Sequence, residues 1–328
     1  MFDLRRTLHP AWYQGHRTSP PYFEGWYFKL IDADKRNRYA VIPGIYRSSD
    51  GEDSHCFVQI LDGAARRAIY RRYPVGEFWA AEDAFEVHVG PSRFTAERVD
   101  LDVDSPELAL SGELTFHHLT PWPVTWLSPG VMGWYAWVPF METYHGVVSL
   151  DHTIEGALTI DGMRVDFSGG RGYIEKDWGR AFPSAWVWMQ SNHFDHEGTS
   201  LTGSVATIPW LFASFRGFIF GLWHDGMLHR FTTYTGARIE KLQIEEERVL
   251  LDLRDGRRRL HIVARRAETG MLRGPIQRGG MRGRVPETLQ ATLEVRLSEL
   301  DGDREAVIFE GSGRNAGLEV GGEWEKLL

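Results

Sequence analysis

Six Asp-Gly pairs punctuate this 328-residue chain, at Asp50-Gly51, Asp62-Gly63, Asp161-Gly162, Asp225-Gly226, Asp255-Gly256 and Asp301-Gly302. Asp-Gly suits the tight turns that reverse one strand into the next, because both central positions of such a turn favour a positive φ. Between the turns lie short runs of β-branched and aromatic residues, such as Arg38–Tyr46, His55–Leu61, Leu108–His118, Tyr144–Ile160, Met163–Phe167 and Thr199–Ile208. No segment carries an apolar period of 3.6 residues over more than about three turns of helix. The pattern predicts a mostly β chain of antiparallel barrels or sandwiches with very little helix.

At this length two domains are expected, with a boundary near Ile208–Trp210 that gives residues 1–208 and 209–328. The Gly/Arg-rich stretch from Thr269 to Pro286 reads as a long loop, and the arginines from Arg254 to Arg284 as a solvated face. A formal net charge of −8 argues against nucleic acid as a partner. The single cysteine, Cys56, excludes an internal disulfide and fits the cytoplasm. Residues 1–16 hold no apolar run of the secretory type. The most membrane-like segment, Ile208–Trp223, is shorter than the roughly 18–20 residues a span needs and has Arg216 at its centre. A soluble protein is expected.

Two blocks combine large aromatics with charged or amide groups, which are costly to bury unless paired or put to use. In Tyr22–Leu30, strand alternation places Tyr22, Glu24, Trp26, Phe28 and Leu30 on one side, with Tyr27 in the same aromatic block. A carboxyl so flanked is raised in pKa and suited to donate a proton; the competing reading is an ion pair with Arg171, Lys176 or Arg180. In Gly169–Phe194, Glu175, Lys176 and Asp177 precede Trp178, and alternation then groups Trp186, Trp188, Gln190 and Asn192, with His193 opposite. Gln190 and Asn192 read as orienting amides in a pocket or as an inter-strand pair. In His55–Leu61, Cys56, Val58 and Ile60 form a core face. His55, Phe57 and Gln59 face the other way, towards pocket or solvent, with His55 an acid–base candidate.

Several catalytic signatures are absent: there is no G-x-S-x-G elbow, no phosphate-binding loop and no dinucleotide fingerprint in a strand–helix unit. The histidines lack zinc-site spacing, so neither a metal nor another cofactor is expected.

In order along the chain, FEGWYFKL (Phe23–Leu30), PGIY (Pro43–Tyr46), HCFVQIL (His55–Leu61), the aromatic block Gly133–Pro139, GYIEKDWGRAFPSAWVWMQSNHF (Gly172–Phe194) and GLEVGG (Gly317–Gly322) resemble the tocopherol cyclase family. The resemblance implies two lipocalin-like domains related to those of carotenoid hydratases. It also implies a cofactor-free cyclisation of a prenylated hydroquinone to a chromanol, or, as the alternative, a binding protein, hydratase or isomerase for a hydrophobic isoprenoid. The partner it implies is an apolar small molecule, taken up through contact with a membrane surface. In that chemistry an acid protonates a trisubstituted double bond, aromatic faces stabilise the cation, and the phenol oxygen closes on it. The catalytic candidates are then Glu24, Asp177, His55 and Glu175, with Trp26, Tyr27, Trp178, Trp186, Trp188, Gln190 and Asn192 binding substrate. The family pattern has Asn where this chain has Asp177, which favours Glu24 as the acid.

Overall fold

A computed structural model describes residues 4–276, 280–302 and 304–328. It is 64% strand and 8% helix, in two large antiparallel sheets, as the turn pattern requires. At Asp161-Gly162 and Asp225-Gly226 both turn residues have positive φ, the conformation that Asp-Gly favours. Among the described residues no helix is long and apolar enough to cross a membrane.

The chain divides into two compact units, 1–182 with 270–285, and 183–269 with 286–328. In the first, hydrogen-bonded strands run in the order Arg67–Pro74, His55–Asp62, Arg38–Arg47, Tyr22–Ile31, Gly170–Gly179, Thr143–Ile160, Ala109–His117, Arg98–Asp104, Ser92–Thr95, Glu86–Val89 and Phe78–Ala80. The order has two ends, so this sheet is not a closed barrel. Both halves nevertheless supply one core. Trp26, Phe28 and Cys56 from one half pack in it with Val87, Phe94 and Leu101 from the other. The expected core face of Cys56, Val58 and Ile60 is fully buried there.

In the second unit the order is Met227–Thr232, Ala213–His224, Ser200–Trp210, Ala185–Ser191, Arg304–Gly322, Gly280–Asp301, Arg258–Arg265, Arg248–Arg254 and Arg238–Ile244. Val187 and Met189 face its core, together with Leu222, Leu251 and Leu293.

Two sequence expectations need correcting. The changeover lies at Phe182/Pro183, not near residue 208. Ile208–Trp223 is a hairpin in which Trp210 pairs with Ala213 across an exposed Leu211–Phe212 turn. Its apolar run comes from two adjacent strands, so no linker falls there. The stretch read as a loop contains the strand Gly270–Ile276, and the chain returns there to the first unit. The glycines of that strand mark close approach: a Cβ on Gly270 would lie 2.4 Å from Leu61 Cδ1, and one on Gly274 2.8 Å from Val285 Cγ2. The residues 277–279 of that stretch lie outside the described ones.

The glycine that closes Glu-Lys-Asp-Trp-Gly has a similar origin. Gly179 sits at φ 150°, and a Cβ would lie 2.2 Å from the Glu142 carbonyl oxygen. Neither backbone can yield without breaking the pairing of Thr143 with Gly179. Gly179→Ala is therefore expected to cost about 3 kcal/mol. Gly162→Asn, at φ 81° with open space around it, is expected to cost under about 1 kcal/mol. Urea unfolding of both variants measures this; equal losses would refute the assignment.

Candidate functional site

Strand alternation sends the three consecutive charges Glu175, Lys176 and Asp177 to opposite faces of the first unit's sheet. Pairing fixes which. Trp26 lies opposite Lys176 and Glu24 opposite Trp178, so these four share the core face. Tyr27 lies opposite Glu175 and Gly25 opposite Asp177, on the outer face.

On the core face, Lys176 Nζ meets Glu24 Oε1, both side chains having zero exposure. Nζ also donates to the Trp12 carbonyl at 2.7 Å and lies 4.6 and 4.7 Å from the Trp26 and Trp178 ring centroids. The Glu24 carboxylate accepts the Tyr22 hydroxyl and the Gln14 backbone N–H, the latter at 3.1 and 2.9 Å from its two oxygens. Burial pushes the carboxyl pKa up and the lysine down to about 8, against their mutual attraction. Of the three cations considered from sequence, Lys176 is the partner. The segment from Ala11 to Gln14 supplies carbonyls and an N–H that seal this pair. Trp178 stacks on Tyr144 at 5.5 Å.

On the outer face a histidine that sequence reading missed, His145, pairs opposite Asp177. Its Nδ1 lies 2.9 Å from Asp177 Oδ1 and its Nε2 3.5 Å from Glu175 Oε2. The Tyr173 hydroxyl donates to the same Glu175 oxygen. Two carboxylates on its two nitrogens suit an imidazolium, whose N–H groups both donate. Burial alone would lower the His145 pKa, but the charges of Glu175 and Asp177 outweigh it and raise it to about 9. Asp177 keeps 31% and His145 16% of their side-chain surface exposed, whereas the Glu24–Lys176 pair has none.

A raised histidine pKa has a stability consequence. The group binds its proton more tightly folded than unfolded, so its contribution is full below pH 6.5 and is lost as pH rises through about 9. The span corresponds to at most about 3 kcal/mol. Lys176 acts in the opposite sense between about 8 and 10.5. The clean readout is thus the difference between wild type and His145→Gln from pH 6 to 8. That difference should shrink with rising pH; a constant difference would contradict the assignment.

His55 lies on the same outer face, among Phe57, Tyr46 and Tyr70. Its Nδ1 is 2.6 Å from the Asp53 carbonyl and its Nε2 2.7 Å from the Tyr70 hydroxyl. The carbonyl only accepts, so Nδ1 carries the hydrogen and Nε2 accepts from Tyr70. Burial lowers the His55 pKa and favours this neutral form. Tyr70, Gln59, Arg273, Arg282, Arg284 and Glu107 line a cavity of about 500 Å³. Gln59 fixes its wall by clamping the Arg273 backbone at 2.7 and 3.2 Å, and the Arg273 guanidinium lies 4.8 Å over Tyr70.

Trp186, Trp188, Gln190 and Asn192 belong to the second unit. Gln190 is fully buried, and Trp186 donates its indole N–H to Glu319 at 2.7 Å. A Cβ on Gly321 would lie 2.2 Å from the Trp186 ring, and one on Gly322, at φ 65°, 2.1 Å from the Ser184 carbonyl oxygen. Asn192 Oδ1 lies 3.0 Å from His193 Nδ1. The expected site residues thus form three groups within the first unit, at Glu24, at Glu175–Asp177 and at His55, and one in the second.

Two open antiparallel sheets, each with an apolar core packed on one face, define a lipocalin-like two-domain class. Solved structures share it. CghA matches 94% of this chain and 90% of its own at 13% identity and a TM-score of 0.55. A Nitrosomonas europaea protein described as an AttH matches 94% and 98% at 13% identity and a TM-score of 0.52. These likenesses establish the fold alone. The model of the tocopherol cyclase-like family matches residues 113–322, and the chain belongs to that family. Chloroplastic tocopherol cyclase of Zea mays is 29% identical over 200 residues, 58% of this chain and 41% of that protein. A probable chloroplastic tocopherol cyclase of Oryza sativa is 26% identical over 209 residues, 61% and 44%. The match therefore spans less than half the length of either plant protein.

Proposed function

We propose that this protein is a cofactor-free, acid-catalysed cyclase that converts a prenylated hydroquinone, or a related isoprenoid, to a chromanol. The observation that carries the reading is His145, set between Glu175 and Asp177 on the outer sheet face, within the residues the family model matches. In the proposed reaction the His145 proton adds to the CH carbon of the ring-proximal double bond. The cation forms at the methyl-bearing carbon, and the phenol oxygen bonds to it, closing a six-membered ring. The phenolic proton passes to Asp177 or Glu175 and returns to His145, so substrate and product are isomers. Tyr27, opposite Glu175, presents an aromatic ring on that face.

Glu24 is reassigned here from acid to structural anion: both its oxygens accept hydrogen bonds and Lys176 already neutralises it. His55 is assigned to hold Tyr70 at the arginine-lined cavity, and the buried amide of Gln190 to orient polar groups in its own unit. The proposed compartment is the cytoplasm, where Cys56 remains a buried thiol.

The test is incubation of purified protein with phytyl- and geranylgeranyl-hydroquinones in deuterium oxide. The expected product is a chromanol carrying one deuterium on the ring CH2 beside the oxygen-bearing quaternary carbon. Binding of these quinols without turnover would instead support a carrier, and no interaction with either would reject the reading.

A further inference from the structure

Two imidazoles and a carboxylate meet in the second unit, where the segment after His193–Phe194 passes the hairpin of Ala213–His224 and Met227–Thr232. His196 lies in that segment, and His224 and Asp225 close the hairpin. The Nε2 atoms of His196 and His224 lie 3.5 and 3.4 Å from the two oxygens of Asp225. Both Nδ1 atoms turn instead to one hydroxyl, Thr199 Oγ1, at 3.4 and 3.0 Å. Thr199 is fully buried and His224 nearly so, while His196 and Asp225 are open to solvent.

A hydroxyl oxygen has two lone pairs and can accept from both rings at once. That arrangement places a hydrogen on each Nδ1 and leaves both Nε2 lone pairs aimed at the same carboxylate. Three lone-pair donors within 4.8 Å of one another suit a cation among them. A tetrahedral ion with bonds of about 2.0–2.1 Å separates its ligand atoms by about 3.3–3.5 Å, the range of the two Nε2–carboxylate distances, each of which runs to a different oxygen of Asp225. A partner on the second nitrogen is also what ligating histidines have when their orientation is fixed. Asp225 and Gly226 at φ 48° and 73° hold the turn. His145 differs in kind, since its two nitrogens face two different carboxylates rather than one hydroxyl and one carboxylate.

We propose that His196, His224 and Asp225 bind a divalent cation of the zinc class, with Thr199 setting both imidazoles and the fourth position open to solvent. The ion clasps residues 195–199 to the hairpin, and its open position can take water or an anionic ligand.

The experiment is competition between chelator-treated full-length protein and a chromogenic chelator for Zn2+, with Co2+ absorption reporting geometry. One ion per chain and a tetrahedral Co2+ spectrum are expected. Thr199→Val should weaken binding about 10–100-fold, and His196→Ala and Asp225→Asn by more. His196 is exposed and Asn suits the Asp225 turn, so both variants should melt like the zinc-free wild type, and Zn2+ should raise the melting temperature of wild type only. Absence of stoichiometric Zn2+ binding, or binding unchanged in His196→Ala and Asp225→Asn, would overturn the proposal.

Discussion

Lys176→Met is expected to destabilise the protein by about 3–5 kcal/mol, because it leaves a carboxylate uncompensated in a dry core. Glu24 sits at zero exposure, and the Tyr22 hydroxyl and Gln14 N–H that remain carry no full positive charge. Glu24→Gln should also be destabilising, since it strands the ammonium between Trp26 and Trp178. The double variant Glu24→Leu/Lys176→Met removes both charges and should recover a large part of the loss, the usual outcome when a buried pair is replaced by apolar groups. Urea unfolding of the two single variants and the double gives the coupling directly. Single losses under about 1 kcal/mol, or a double variant as unstable as the sum of the singles, would mean that Glu24 and Lys176 do not depend on each other.

His145→Gln is expected to lower turnover of a prenylated hydroquinone by about 10²–10⁴-fold, the usual contribution of a placed proton donor. Wild-type turnover should fall as pH rises through about 9, where His145 gives up its proton. Asp177→Asn removes one of the two carboxylates that raise this pKa, so its alkaline limb should move to lower pH while activity persists. A full-rate His145→Gln enzyme would remove the histidine from the mechanism. An alkaline limb unmoved in Asp177→Asn would show that the carboxylate does not tune it.

Alternation along single strands is legible in the order of residues alone. It separates Cys56, Val58 and Ile60 from His55 and Gln59, and groups Glu24 with Trp26, because a side-chain period of two needs no knowledge of neighbouring strands. Pairing is not legible in the same way. Glu175 and Asp177 visibly share a face, which calls for a cation there, but nothing in the order of residues indicates that Thr143–Ile160 lies beside them and brings His145. His145 stands in no motif, between Tyr144 and Gly146. The Gly270–Ile276 strand escapes sequence reading for a related reason: glycines admitted for close packing against Leu61 and Val285 look in sequence like those admitted for a turn. Thr199 joins two histidines 28 residues apart, a relation that only the hairpin creates.

The alternating signs of Glu175, Lys176 and Asp177 also act during assembly. A slip of one residue between Tyr22–Ile31 and Gly170–Gly179 would reverse every side chain of the slipped strand. Lys176 would leave the interior, and two carboxylates would enter it beside Glu24. The misaligned sheet would carry three like charges where the native one is neutral. The order of charges along the strand thus penalises the registers one residue either side of the native one.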